Sequence, residues 1–113
     1  MTTTETAAYS GPVTELAIRI LNDGQGVAAF AAARDAFITQ LKAQPGVAAD
    51  REFVALVDGA TFAPPAGPVY TGMTEYANMA AFAAAGEALG SSAAAGAFFG
   101  TFTPAAFTAL RPK

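Results

Sequence analysis

From Val13 to Leu21 the chain reads VTELAIRIL, with Leu16, Ile18 and Ile20 alternating with Glu15, Ala17 and Arg19. A period of two predicts a β-strand with one strongly apolar face, and side-chain size assigns Leu16, Ile18 and Ile20 to the helix-facing side. Asn22-Asp23-Gly24 is turn chemistry. Between Gln25 and Ala43 the period changes, because Val27, Phe30, Phe37, Ile38 and Leu41 recur along one helical stripe. Pro45-Gly46 stops that helix and turns the chain. A second strand is expected over Val47–Asp58, with Phe53, Val54, Ala55, Leu56 and Val57 as its apolar centre. Residues 59–68 hold three prolines and two glycines and read as a loop. A third strand is predicted over Val69–Tyr76. Asn78 is placed to cap a helix whose inner stripe is Met79, Phe82, Ala83, Gly86 and Leu89. Gly90-Ser91-Ser92 interrupts it, and a shorter helical piece follows over Ser92–Phe99. The last element, Phe102–Leu110, reads as a strand whose Pro104 demands an edge position or a bulge.

The resulting order is β-α-β-β-α-β, an α+β, ferredoxin-like plan with an antiparallel four-stranded sheet and helices on one face. Residues 1–12 are expected to be a flexible tail, and residues 13–113 a single domain.

Composition adds a constraint. The 113 residues are 53% hydrophobic and only 13% charged, where about a quarter charged is usual for a soluble domain. The sheet face away from the helices therefore has little with which to be solvated. In the third strand one face holds Tyr70, Gly72, Thr74 and Tyr76, and the other holds Val69, Thr71, Met73 and Glu75. Covering the bare face with a second copy would bury on the order of 1,000 Å², so a homodimer with its sheets face to face is the expected assembly.

The net charge is −3 and the six basic residues are scattered, which disfavours binding nucleic acid through its phosphates. No segment predicts a membrane-spanning helix. The first residues have neither the basic nor the apolar part of a secretion signal, and cysteine is absent, so a cytoplasmic location is expected. Histidine and tryptophan are absent too. With no histidine or thiolate, the ordinary zinc sites and the commonest proton shuttle are unavailable. No metal and no cofactor are expected. No P-loop or dinucleotide fingerprint occurs, and Gly24-Gln25-Gly26 reads as a turn and helix start.

The remaining chemistry rests on few residues. Arg19 lies mid-strand among small and apolar neighbours. It would bind an anionic or enolate oxygen if it faced an interior, or form a structural ion pair with Glu15 on the same face or across the dimer. Tyr70, Thr74 and Tyr76 share a face, and supply either an aromatic pocket with orienting hydroxyls or interface packing. Arg51 and Glu52 are expected to be solvated, and Asp50 and Asp58 to serve as turn residues. Phe98, Phe99, Phe102 and Phe107 form an aromatic cluster, read first as core and second as the lining of a cavity.

Several of these segments carry a family resemblance: the opening strand VTELAIRIL, the helix FAAARDAFITQLKAQPG, the end of the third strand at Thr74-Glu75-Tyr76, and the tail FFGTFTPAAFTAL. Over about residues 13–111 the chain resembles the dimeric α/β-barrel superfamily, and most closely its antibiotic-biosynthesis-monooxygenase-type domains. The resemblance implies a barrel of two sheets with a pocket in each subunit. It also implies a range of activities: cofactor-independent oxygenation of aromatic polyketides, haem degradation and isomerisation. The haem-degrading branch relies on a histidine and a tryptophan that this chain lacks. Tyr76 stands where members often have a pocket tryptophan.

Two functions follow as expectations. The first is a cofactor-independent monooxygenase or isomerase for a small, flat, apolar molecule, with Arg19 stabilising charge and Tyr70, Thr74 and Tyr76 binding substrate. The second is a non-catalytic binding or structural barrel. An open apolar pocket in which Arg19 and a tyrosine converge favours the first, and a barrel filled with side chains favours the second.

Overall fold

The computed structural model describes residues 9–55 and 68–112. The elements are β1 (Val13–Leu21), α1 (Val27–Lys42), β2 (Val47–Val54), β3 (Val69–Tyr76), α2 (Met79–Leu89), α3 (Ala93–Phe99) and β4 (Phe102–Leu110). The four strands form one antiparallel sheet in the order β2-β3-β1-β4, the expected ferredoxin-like arrangement with its second helix in two pieces. Of the predicted second strand, Leu56–Asp58 lie outside the described residues, as do most of the tail and loop expected on either side.

Local chemistry explains the element ends. The Asn78 side chain accepts a hydrogen bond from Ala81 N at 2.9 Å, and Ser92 accepts one from Ala95 N at 3.0 Å. Each satisfies a backbone N–H that the first helical turn leaves free. Gly46 has φ +82°, and a Cβ there would approach Ala81 Cβ to 2.5 Å. It therefore both permits the left-handed turn and lets α2 pack close. Pro104 meets both conditions expected of it. Strand β4 is at the sheet edge, and its register against β1 shifts between Ile18 and Arg19, leaving Ala105 as an extra residue.

The strand faces are the reverse of the size-based expectation. Val13, Ala17, Arg19 and Leu21 are the buried positions of β1, while Leu16, Ile18 and Ile20 are only half-buried. The helices thus cover the face carrying Glu15, Ala17 and Arg19, and the aliphatic row lies on the open face. The reason is that α1, α2 and α3 supply large aromatics, so the small Ala17 and a partnered Arg19 fit beneath them. One cluster under α1 and α3 joins Leu21, Phe30, Phe98 and Phe102. A second, toward α2, joins Ile38, Leu41, Tyr76, Ala85 and Leu89, and Phe37 packs against both. The expected apolar centre of β2 is also corrected: Phe53 is 40% and Val54 51% exposed. Val27 is 54% exposed, so it stands off the buried stripe of α1.

Candidate functional site

Neighbouring strands of the sheet present side chains to the same face at paired positions, so the register dictates which residues meet beneath the helices. Arg19 pairs with Tyr70, Ala17 with Gly72, Glu15 with Thr74 and Val13 with Tyr76. On the far side of β3, Glu52 pairs with Gly72 and Asp50 with Thr74. Gly72 therefore lies between Ala17 and Glu52, with no side chain of its own. Across that gap Arg19 Nη1 donates to Glu52 Oε1 at 2.9 Å and Oε2 at 3.3 Å. A Cβ at position 72 would sit 2.5 Å from Arg19 Nη1, so the glycine is what lets the ion pair cross the strand.

The ion pair continues into a network. Arg34 of α1 donates from Nε to Glu52 Oε1 at 2.5 Å and from Nη2 to Asp50 Oδ2, and Thr74 donates to Asp50 Oδ1 at 2.8 Å. Two arginines thus face two carboxylates, and the formal charges cancel. Burial works against the charge of Arg34, but its hydrogen bonds and attraction to Glu52 and then Asp50 outweigh that and raise its pKa. The ion-pair reading of Arg19 therefore holds in kind, with Glu52 rather than Glu15 as partner. Glu52 is paired rather than solvated, and Asp50 is a strand residue rather than a turn residue. Arg51 is exposed, its guanidinium 5.0 Å from the centre of the Phe53 ring.

On the other side of Arg19 lies a cavity of about 650 Å³ between the sheet, α2, α3 and β4. The Arg19 guanidinium carbon lies 4.9 Å from the Phe98 ring centre and 5.3 Å from that of Phe102, a cation–π seat. The floor of the cavity is Ala17, Arg19 and Glu15, and its walls include Phe37, Phe82, Phe99 and Phe107. The only polar side chains at its surface are Glu15, Arg19 and Tyr76.

Tyr76 donates its hydroxyl hydrogen to Glu15 Oε1 at 2.7 Å, and its ring meets Phe82 edge-on at 5.3 Å between centres. Burial raises the pKa of Glu15 above the ordinary carboxylate range. The bond from Tyr76 and the charge of Arg19 pull it back, and the charge of Asp50 adds to the rise. Burial, and then the bond and charge of Glu15, push the Tyr76 phenol well above its ordinary value, so it stays a donor.

The structure brings Arg19 and Tyr76 together at the cavity and keeps Tyr70 and Thr74 away from it. Tyr70 stacks on Phe30, with ring centres 4.4 Å apart, and Thr74 serves Asp50. The aromatic cluster divides. Phe98 is wholly buried, whereas Phe99 at 46% and Phe107 at 62% exposure line the cavity together with Phe102. Glu15 is the cavity residue that the sequence offered only as an ion-pair partner. Its signal was its place four residues before Arg19, on the same face of the strand. Among the described residues no group of three or more carboxylates is placed to hold a metal ion, and no helix is long and apolar enough to cross a membrane.

No family model matches the chain, and no curated protein sequence does. Solved structures match over nearly its whole length. SnoaB, a cofactor-independent oxygenase from Streptomyces nogalater, superposes as its N63A mutant with a TM-score of 0.73 at 14% identity, covering 92% of this chain and 95% of that one. A candidate antibiotic biosynthesis monooxygenase from Caulobacter crescentus gives 0.72 at 19% identity, with 94% and 93% covered. Rv0793 from Mycobacterium tuberculosis gives 0.65 at 18% identity, with 91% and 96% covered. At these identities the likeness is one of fold, and it agrees with the strand order, the split second helix and the capped start of α2. The chain has the ferredoxin-like α+β fold of the antibiotic-biosynthesis-monooxygenase type.

Proposed function

We propose that the cavity binds a small, flat, aromatic molecule and that the protein is a cofactor-independent monooxygenase. The observation that carries this reading is the open apolar cavity in which Arg19 and Tyr76 converge. Its volume suits a molecule of two or three fused rings, and its aromatic walls suit stacking. The substrate, once deprotonated, supplies its own electrons to dioxygen. For an anthrone-type ketone, substrate plus O2 gives quinone plus water, and the protein needs only to exclude solvent and hold the developing oxyanion. The N–H groups of Arg19 not engaged with Glu52 serve that oxyanion. The test is oxygen consumption with anthrone and a panel of quinols. Turnover is expected, with kcat/KM lower by about 10²-fold or more in Arg19→Ala. No turnover across the panel, with ligand binding unchanged in Arg19→Ala, overturns the oxygenase reading and leaves a binding module.

The second part of the reading is a homodimer through the open sheet face. The row Leu16, Ile18 and Ile20, joined by Met73 and Phe53 at paired positions on β3 and β2, gives that face an aliphatic surface. A pairing of ordinary size, about 800 Å² per partner, would cover it. Sedimentation at micromolar concentration is expected to show a dimer that Ile18→Glu converts to monomer. A monomeric parent protein overturns this part.

A further inference from the structure

Asp50 and Glu52 are each held by an arginine, but Glu15 is placed differently. Among the described residues it makes no ion pair, and its one side-chain hydrogen bond engages Oε1 alone. No buried side-chain oxygen or nitrogen among the described residues lacks a partner. Oε2 is therefore accessible, and the cavity is the space that Glu15 lines. Around it β3 contributes Tyr76, β2 contributes Asp50 and β1 itself contributes Arg19. The parts of α2 and β4 that face the cavity present Phe82, Leu89 and Phe107, with no charge among them. The carboxylate thus has one oxygen fixed by a donor, and the other is turned to an apolar space that also holds Arg19.

We infer that Glu15 is the general base of this site: its Oε2 takes a proton from the bound substrate, and Tyr76, through Oε1, is the positioning residue that aims it. The inference rests on the cavity being a site for a flat aromatic ligand. In this step the substrate's C–H or O–H bond breaks and the proton moves to Oε2. The electron pair stays on the substrate and spreads to the oxygen held by Arg19. Dioxygen is the oxidant of the later step and takes no part here. Glu15 and Arg19 are four residues apart on one strand, so their backbones are roughly 13 Å apart. A single small ring bridges their side chains best when its acidic position and its charge-accepting oxygen lie at opposite ends. That requirement describes a vinylogous or para-disposed acid, rather than a simple ketone with adjacent groups.

Deuterium exchange of the acidic methylene of anthrone, followed by NMR in D2O without oxygen, separates this step from the oxidation. The native protein is expected to accelerate exchange. Glu15→Gln keeps the shape and still accepts the Tyr76 hydrogen bond, and it is expected to lower exchange by about 10²-fold or more while anthrone still binds. Glu15→Asp is expected to recover part of the rate. The acid limb of the exchange profile should lie above the ordinary carboxylate range, and Tyr76→Phe should move it higher still, since that hydroxyl stabilises the carboxylate. If anthrone binds and exchange is equal in the native and Glu15→Gln proteins, or the native protein gives none, Glu15 is not the base and the cavity reading survives. If neither anthrone nor any quinol of the panel binds, the cavity reading itself falls, and this inference with it.

Discussion

Replacing Gly72 by alanine isolates the contact that aims Arg19. Gly72 is not among the glycines with positive φ, which among the described residues are Gly24 and Gly46, so alanine fits its backbone. On chain entropy alone the change would be neutral or stabilising, by about 0.4–1 kcal/mol. The added methyl, however, lies 2.5 Å from Arg19 Nη1, 3.2 Å from Arg19 Cζ and 3.1 Å from Glu52 Oε1. Strand β3 is flanked on both sides by strands, so its backbone cannot retreat, and the guanidinium must leave Glu52. Stranding one member of a buried pair costs about 3–5 kcal/mol. Here the cost is smaller, because Arg19 can swing into the cavity and Glu52 keeps Arg34. Taking about 3 kcal/mol for the lost pair, less the entropy gain, gives a net loss of about 2 kcal/mol. In urea unfolding that is a fall in midpoint of roughly 1 M. Protein concentration must be held fixed, because association would stabilise the fold by mass action. In an Arg19→Ala background the methyl has no guanidinium to meet, and Gly72→Ala is expected to change stability by less than about 0.5 kcal/mol. The cycle should therefore show a coupling of at least about 1.5 kcal/mol. Equal costs in the two backgrounds would refute the claim that Gly72 exists to let the ion pair pass.

Other substitutions probe separate parts of the molecule. Glu15→Gln is expected to stabilise the fold near pH 7. A carboxyl whose folded pKa is raised binds its proton more tightly when folded, so the native protein loses stability as pH rises from the unfolded value through the folded one, and the gain should vanish below about pH 4. Urea midpoints of both proteins between pH 3.5 and 7.5 check this, and a gain that persists at the acid end contradicts it. Phe107→Ala should cost less than about 1 kcal/mol in stability, because that side chain is 62% exposed. It should nevertheless weaken anthrone binding several-fold, since the ring stacks near Phe82 at the cavity wall, 6.2 Å between centres. Calorimetric titration of the two proteins decides. Asn78→Ala should lower stability by about 1 kcal/mol through loss of the bond to Ala81 N, and Asn78→Ser should restore most of it.

The elements were legible because their signals are local. The alternation in β1, the stop at Pro45-Gly46, the cap at Asn78 and the break at Gly90 each depend on neighbours along the chain. The face of β1 was not legible in the same way. Size alone assigns Leu16, Ile18 and Ile20 to the helices. Arg19 goes there instead because Glu52 and two phenylalanine rings receive it, and none of these is near it in sequence. The same limit hid Glu52 and Asp50, which look like surface residues until Arg34 of α1 is laid across β2. In β2 the apolar run at Phe53 and Val54 drew attention from the acids that occupy its inner face. Of the candidate site, Arg19 and Tyr76 were readable from residue type and place. Glu15 needed the register, which sets it against Thr74 and, from the next pleat, within reach of Tyr76.

The extra residue at Ala105 has a further consequence, one of parity. Before it, Phe102 and Pro104 stand opposite Leu21 and Arg19; after it, Phe107 stands opposite Ala17. Without it, Phe107 would fall opposite Leu16 and project from the other side of the sheet. One small residue thus acts like a frame marker for the end of the chain. Deleting it would exchange the inner and outer sides of everything that follows, although no side chain there had changed. The end of β4 should therefore accept many substitutions, and insertions or deletions of two residues more readily than of one. When distant relatives are aligned, a single gap near Pro104 would report a different cavity wall more reliably than the identity of any residue in the strand.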